Sequence, residues 1–108
     1  YLGFPDRITP DDAFLLMSLI LLEMVKIKNT SGYRLTQKKT QSKKMFTTHY
    51  EIKIALGSTD KVIEITIGGT YHVIILRIRG LNICQVMAIC NVSHKVAKRD
   101  QLPLIIFK

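Results

Sequence analysis

The spacing of hydrophobic residues changes several times along this chain and divides it into predicted helices and strands. Residues 13–25 are apolar at nearly every position, interrupted only by Ser18 and Glu23, which is typical of a helix that is covered on more than one side. Residues 9–12 supply a capping threonine, a proline suited to the first helical position and two aspartates that complement the helix dipole. The sequence therefore predicts a helix over residues 10–28, covered by a second layer or by a partner chain.

Apolar and polar residues alternate in the middle of the chain, with the period of two that half-buried strands require. The alternating segments are residues 50–56, 62–67 and 71–79, and turn residues separate them. Neighbouring strands joined by short turns pair antiparallel, so these three are expected to form one sheet. A shorter strand over residues 33–36 is expected before a flexible polar loop that reaches residue 44.

The spacing returns to three and four after Leu81, which favours a second helix over about residues 82–98. Pro103 ends this helix, and residues 104–107 form either a terminal strand or a tail docked on another surface. A chain of 108 residues is long enough for one hydrophobic core and is expected to form a single domain over residues 1–108. The predicted fold is a small α+β domain of α-β-β-β-α-like order, with an antiparallel sheet packed by two helices and a possible C-terminal strand.

The chain is strongly basic, with 16 lysines and arginines against 8 aspartates and glutamates and a formal net charge of +8. Seven of these basic residues lie within residues 26–44, a segment that contains no Asp or Glu. Unopposed positive charge attracts polyanions, so RNA or another nucleic acid is the expected partner. The residues expected to contact phosphates come from this segment and from the third predicted strand: Arg34, Lys38, Lys39, Lys43, Lys44, Arg77 and Arg79. Ring side chains near these charges are suited to stacking on bases: Tyr33, Phe46, His49 and Tyr50.

The sequence lacks the motifs of common catalytic and metal sites. Its glycines form neither a phosphate-binding loop nor a nucleophile elbow, and Cys84, Cys90 and His94 do not have the spacing of zinc ligands. No enzyme activity, cofactor or metal is expected, and the leading function is a non-catalytic RNA-binding structural component of a ribonucleoprotein. The spacing of the two cysteines also disfavours a mutual disulfide, which indicates an intracellular location, cytoplasmic or organellar.

Two other functions are open alternatives. The apolar helix suits a protein-interaction or oligomeric scaffold subunit, in which a protein partner or a second copy of the chain covers residues 13–25 and contacts Phe14, Leu16 and Ile20. A small membrane-associated subunit is the other alternative. However, the thirteen residues of this segment extend roughly 20 Å as a helix, against the ~30 Å of a bilayer core. A membrane is therefore the less favoured partner.

Three nucleic-acid-binding families resemble different parts of the chain. Residues 76–83, Leu-Arg-Ile-Arg-Gly-Leu-Asn-Ile, resemble the second motif of Sm and Sm-like RNA-binding proteins, which implies a strand over residues 81–90. The order of a helix, the Thr-Ser-Gly of residues 30–32, a lysine-rich loop and a strand pair is similar to the Alu-RNA-binding subunits of the signal recognition particle. The order of a strand, the Arg-Gly of residues 79–80 and a helix is similar to the middle of Alba-type proteins. These resemblances imply different local structures, so the sequence assigns no family.

Overall fold

The structure, a computed structural model, describes residues 5–108 and contains two helices and five strands within them. In chain order these elements are α1 Pro10–Ile27, β1 Tyr33–Ser42, β2 Thr47–Leu56, β3 Thr59–Gly68, β4 Val73–Arg79, α2 Ile83–Asp100 and β5 Leu104–Phe107. The predicted small α+β domain is confirmed. Of the two interpretations of residues 104–107, the terminal strand is correct, because this segment pairs with β4 in the sheet.

The five strands form one sheet in the order β1-β2-β3-β4-β5. The first four are antiparallel neighbours, whereas β5 runs parallel to β4, and α2 makes the crossover between these two strands. Both helices pack on the same face of the sheet and share one hydrophobic core with it. We call this face the covered face and the opposite one the open face. Because successive side chains of a strand alternate between faces, the strand register assigns each residue to one of them.

The core lies between the helices and the covered face. Ile52, Ile63 and Ile78 lie opposite one another on three neighbouring strands, and all three are buried. Tyr50, Ile65 and Leu76 form a second row of the same kind. The alternation predicted for β2, β3 and β4 is therefore confirmed, and it leaves the polar members of each strand on the open face.

Helix α1 begins where the sequence predicts. The Thr9 hydroxyl accepts a hydrogen bond from the Asp12 backbone N–H at 3.1 Å, and Pro10 occupies the first helical turn. Met17 and Leu21, four residues apart, are fully buried against the sheet. Neither helix of the described part of the chain is both long enough and apolar enough to cross a lipid bilayer.

Helix α2 occupies the segment for which a strand and a helix were both possible. Its first turn is closed by a capping box, in which the Asn82 side chain accepts from the Gln85 backbone N–H at 2.9 Å and the Gln85 side chain accepts from the Asn82 backbone N–H at 3.2 Å. The helix over about residues 82–98 is confirmed. The strand over residues 81–90 that the Sm resemblance implies is wrong.

The lysine-rich segment is an edge strand rather than a flexible loop. Strand β1 continues to Ser42, and its ten residues pair one-to-one with those of β2. Most of its side chains are exposed on both faces, so it lacks the apolar alternation by which strands are recognised in a sequence. The prediction of a strand limited to residues 33–36 was wrong. The connection to β2 is the short turn over residues 43–46.

Candidate nucleic-acid interface

A row of paired residues crosses the open face from one edge of the sheet to the other. In strand order the row consists of Lys38, Glu51, Glu64, Arg77 and Phe107. Directly paired residues on antiparallel strands have their Cβ atoms about 4.5–5.5 Å apart, so neighbouring side chains of the row are within reach of each other. Two carboxylates therefore occupy the centre of the open face, with a cation on either side.

Other cations lie on the same face, beside this row. Arg34 lies four residues before Lys38 on β1, and Arg79 lies two residues after Arg77 on β4, so these even spacings bring all four side chains to the open face. The structure thus brings together four of the seven residues that the sequence indicated as phosphate contacts. Lys53 of β2 also lies on this face, and sequence reasoning missed it because it looks like any solvated member of an alternating strand.

Carboxylates of the open face pair with only part of this positive charge. Arg79 contacts Glu64 at 3.5 Å, and Lys53 contacts Asp60 at 3.3 Å. Exposed ion pairs of this kind contribute about 0–1 kcal/mol to stability, so a phosphate group can replace the carboxylate at little cost. Arg34 and Lys38 take part in none of the ion pairs found within residues 5–108.

The guanidinium group of Arg77 stacks on the ring of Phe107 at the β5 edge of the sheet. The guanidinium carbon lies 4.7 Å from the ring centroid, which is a cation–π contact. This pair lines a cleft of about 270 Å³ together with neighbouring residues of β3, β4 and the C-terminus: Glu64, Ile78, Arg79 and Lys108. A planar guanidinium group is suited to two parallel hydrogen bonds with a phosphate.

Lys39 lies on the opposite side of the sheet from Lys38, because adjacent residues of a strand point to opposite faces. Its ammonium group donates to Asp11 Oδ1 at 2.8 Å, and the Tyr50 hydroxyl donates to the same oxygen at 2.7 Å. The hydrogen bond from Lys39 and, to a smaller extent, the one from Tyr50 hold the pKa of Asp11 below its ordinary value of 3.8. Burial and then the bond to Asp11 raise the pKa of Tyr50. Lys39 and Tyr50 thus anchor α1 to the sheet.

Lys43 and Lys44 lie in the turn between β1 and β2, at one end of the sheet. The same turn exposes Phe46, a residue that is 79% accessible to solvent. The neighbouring turn, residues 69–72, exposes Tyr71, at 85%. The alternating pattern predicted that Tyr71 belongs to the third strand, but β4 begins only at Val73. The paired glycines before Tyr71 were the available signal for a longer turn.

The three residues expected at a protein interface point mainly into the chain itself. Phe14 packs on the Tyr50 ring with centroids 5.1 Å apart, and Leu16 and Ile20 are half-buried and line a groove beside α2. The outward side of α1 carries Leu15 and Leu19 instead, which are 58% and 61% exposed.

No family model matches this chain, and neither a curated protein nor a solved structure matches it. Within residues 5–108, no group of three or more histidine, cysteine, aspartate or glutamate side chains is arranged to hold a metal ion. Both cysteines are free thiols.

Proposed function

We propose that this protein is a non-catalytic RNA-binding component of a larger particle, and that it holds phosphate groups on the open face of its sheet. The observation that carries this proposal is the position of Arg34, Lys38, Arg77 and Arg79 on a single face that neither helix covers. All four side chains are exposed, so they and a bound phosphate keep much of their hydration, and the cost of desolvation is small.

The arrangement of charge suggests how a nucleic acid lies on this face. Arg34 and Lys38 belong to β1 and Arg77 and Arg79 to β4, so the two cationic tracks are three strand spacings, roughly 14 Å, apart. The central carboxylates repel phosphates and confine the backbone to the tracks. Carboxylates also accept hydrogen bonds from amino groups of bases, so bases rather than phosphates fit the space between the tracks.

A charge-neutralisation experiment tests the proposal. One variant changes Arg34, Lys38, Arg77 and Arg79 to Gln. A matched control changes four exposed cations elsewhere and removes the same charge: Arg7, Lys26, Lys28 and Lys98. RNA affinity is measured by fluorescence anisotropy over a range of salt concentrations, with circular dichroism to confirm folding. Each phosphate contact on single strands contributes about 0.7 to the slope of log K against log salt, so the first variant should lose affinity and up to about 3 units of slope.

Equal losses in both variants would show that net charge, not the open face, determines binding. A wild-type affinity that does not change with salt would contradict the whole proposal.

A second candidate function is self-association through α1, favoured by the apolar stripe on its outward side. Leu15 and Leu19 are exposed, with Asp12 near the start of the helix and Lys26 near its end. Asp12 and Lys26 each lie seven residues, or about 10.5 Å, from Leu19. Two copies packed antiparallel about Leu19 therefore bring each Asp12 against Lys26 of the second copy, as a two-fold interface requires.

Sedimentation velocity over a wide range of protein concentration tests this second candidate. The wild type should self-associate, Leu19→Glu should be monomeric, and Asp12→Lys or Lys26→Asp alone should weaken the association. The double charge exchange should restore it. A monomeric wild type at every concentration rejects this function.

A further inference from the structure

Two turns at one end of the sheet are joined to each other through their backbones. The turn of residues 43–46 connects β1 to β2, and the turn of residues 69–72 connects β3 to β4. The Gly69 N–H donates to the Phe46 carbonyl at 2.9 Å, so the turns lie side by side. Tyr71 is two residues beyond Gly69, so the Cα atoms of Gly69 and Tyr71 are at most about 7.6 Å apart.

The contact between the turns is close enough to fix their relative position. Gly68 has φ +102°, and a Cβ atom at this position would lie only 2.4 Å from the Phe46 carbonyl oxygen. Phe46 itself has φ +55°, in the left-handed region that aromatic residues rarely occupy. Phe46 is also 79% exposed, so its side chain stands out into solvent at the tip.

The two turns carry two aromatic residues, a methionine and two lysines, together with Thr70 and His72, and they contain no acidic residue. Phe46 and Tyr71 are the most exposed aromatic rings of the described chain, and Met45 beside them is 66% exposed. Lys43 and Lys44 belong to none of the ion pairs within residues 5–108. Exposed rings beside unpaired lysines are the combination by which proteins hold single-stranded nucleic acids, since bases stack on the rings while phosphates bind the cations.

We propose that Phe46 and Tyr71 form a stacking site for unpaired bases, and that this protein is therefore selective for single-stranded nucleic acid. This inference rests on the proposed function, because the open face supplies the phosphate contacts. The bases of a duplex are stacked on each other and cannot reach the two rings, whereas those of a single strand are available. The tip adjoins the β1 track, since the turn of residues 43–46 begins directly after Ser42, the last residue of the strand that carries Arg34 and Lys38.

The variant Phe46→Asn with Tyr71→Ser tests the site without disturbing the fold. Asparagine tolerates the left-handed backbone of residue 46 better than phenylalanine, so this change relieves strain instead of adding it. The matched control, Phe46→Tyr with Tyr71→Phe, keeps both rings. The probes are an unstructured uridine oligonucleotide and a blunt RNA duplex of equal charge, measured by fluorescence anisotropy. Phosphatidylserine-containing vesicles, measured by co-sedimentation, are the third probe.

The ring-free variant should bind the oligonucleotide about 5- to 150-fold more weakly for each stacked base, with an unchanged salt slope and an unchanged affinity for the duplex. The control should bind like the wild type. Equal affinity of the wild type for oligonucleotide and duplex, or no effect of removing the rings, would overturn the inference while leaving the proposed function intact. A wild type that binds neither RNA rejects the proposed function itself. Ring-dependent binding to the vesicles alone would identify the tip as a lipid contact and overturn the inference.

Discussion

Glu51 and Glu64 lie directly opposite each other on β2 and β3, at the centre of the open face. Like charges in this position oppose pairing of the strands by a few tenths of a kcal/mol up to about 1 kcal/mol. Glu64 contacts Arg79, whereas Glu51 belongs to none of the ion pairs within residues 5–108. The ion pair with Arg79 and the neighbouring positive charges of Lys38 and Arg77 offset this repulsion between the two carboxylates.

Removing the charge of Glu51 should tighten nucleic-acid binding. A carboxylate about 4 Å from a phosphate in water opposes it by about 1 kcal/mol, so Glu51→Gln should raise affinity up to about fivefold. The measurement is an anisotropy titration at low salt, where screening is weakest. Glu23→Gln on α1 removes the same charge far from the open face and should have a much smaller effect. An equal gain from both variants would mean that only net charge matters.

The anchor between α1 and the sheet should make stability depend on pH. Hydrogen bonds from Lys39 and Tyr50 hold the pKa of Asp11 below its ordinary value of 3.8, so the folded state favours the ionised carboxylate. A depressed pKa stabilises the fold at pH values above the ordinary value, and this contribution is lost as the pH falls through the folded-state pKa.

Urea denaturation of the wild type and of Asp11→Asn, repeated at several pH values, measures this contribution. The wild type should be more stable than the variant at neutral pH, and the difference should shrink below about pH 4. Asp12→Asn, the neighbouring exposed aspartate whose side chain makes no hydrogen bond within the described chain, is the control. A difference that stays constant down to acidic pH would show that the carboxylate charge does not stabilise the anchor.

The sequence predicts those elements whose hydrophobic pattern is set by the core, and it fails where the core is not involved. Strands β2, β3 and β4 alternate because the helices cover one of their faces, and α2 carries its capping signal in Asn82 and Gln85. The pattern predicted only residues 33–36 of strand β1 and missed its continuation to Ser42, because that part is held by backbone pairing at an edge and has no apolar face of its own. The candidate site follows the same rule. Arg77 and Arg79 were placed by the pattern of their strand, whereas Lys38 and Lys39 could not be separated without the register.

Gly68 should be intolerant of any side chain, because the contact between the two turns depends on it. In Gly68→Ala the new Cβ would lie 2.4 Å from the Phe46 carbonyl oxygen, at a backbone φ of +102° that alanine also disfavours. The expected cost is about 2–4 kcal/mol of unfolding free energy, which combines overpacking with backbone strain. Gly57→Ala is the matched control, since φ is also positive there but no atom lies within 4 Å of the new Cβ. It should cost only about 1–2 kcal/mol, and equal costs in urea denaturation would contradict the tight contact.

The lysines of β1 should prevent the sheet from extending into a second molecule. The outer edge of β1 has no strand partner in the described chain, and ten residues of unpaired edge are a template for further strand pairing. Lys38 and Lys39 lie near the middle of this edge, so a second β1 paired antiparallel about them would place Lys38 of each copy opposite Lys39 of the other, with one such pair of ammonium groups on each face. Replacing both with threonine, which favours strands, should therefore produce species larger than those of the wild type in sedimentation velocity.

Lys43→Thr with Lys44→Thr removes the same charge from the adjacent turn and should leave the size distribution unchanged. Asp11→Asn is the second control, because it weakens the contact between Lys39 and α1 while keeping both lysines. Assembly by either control variant would show that the edge lysines are not the barrier.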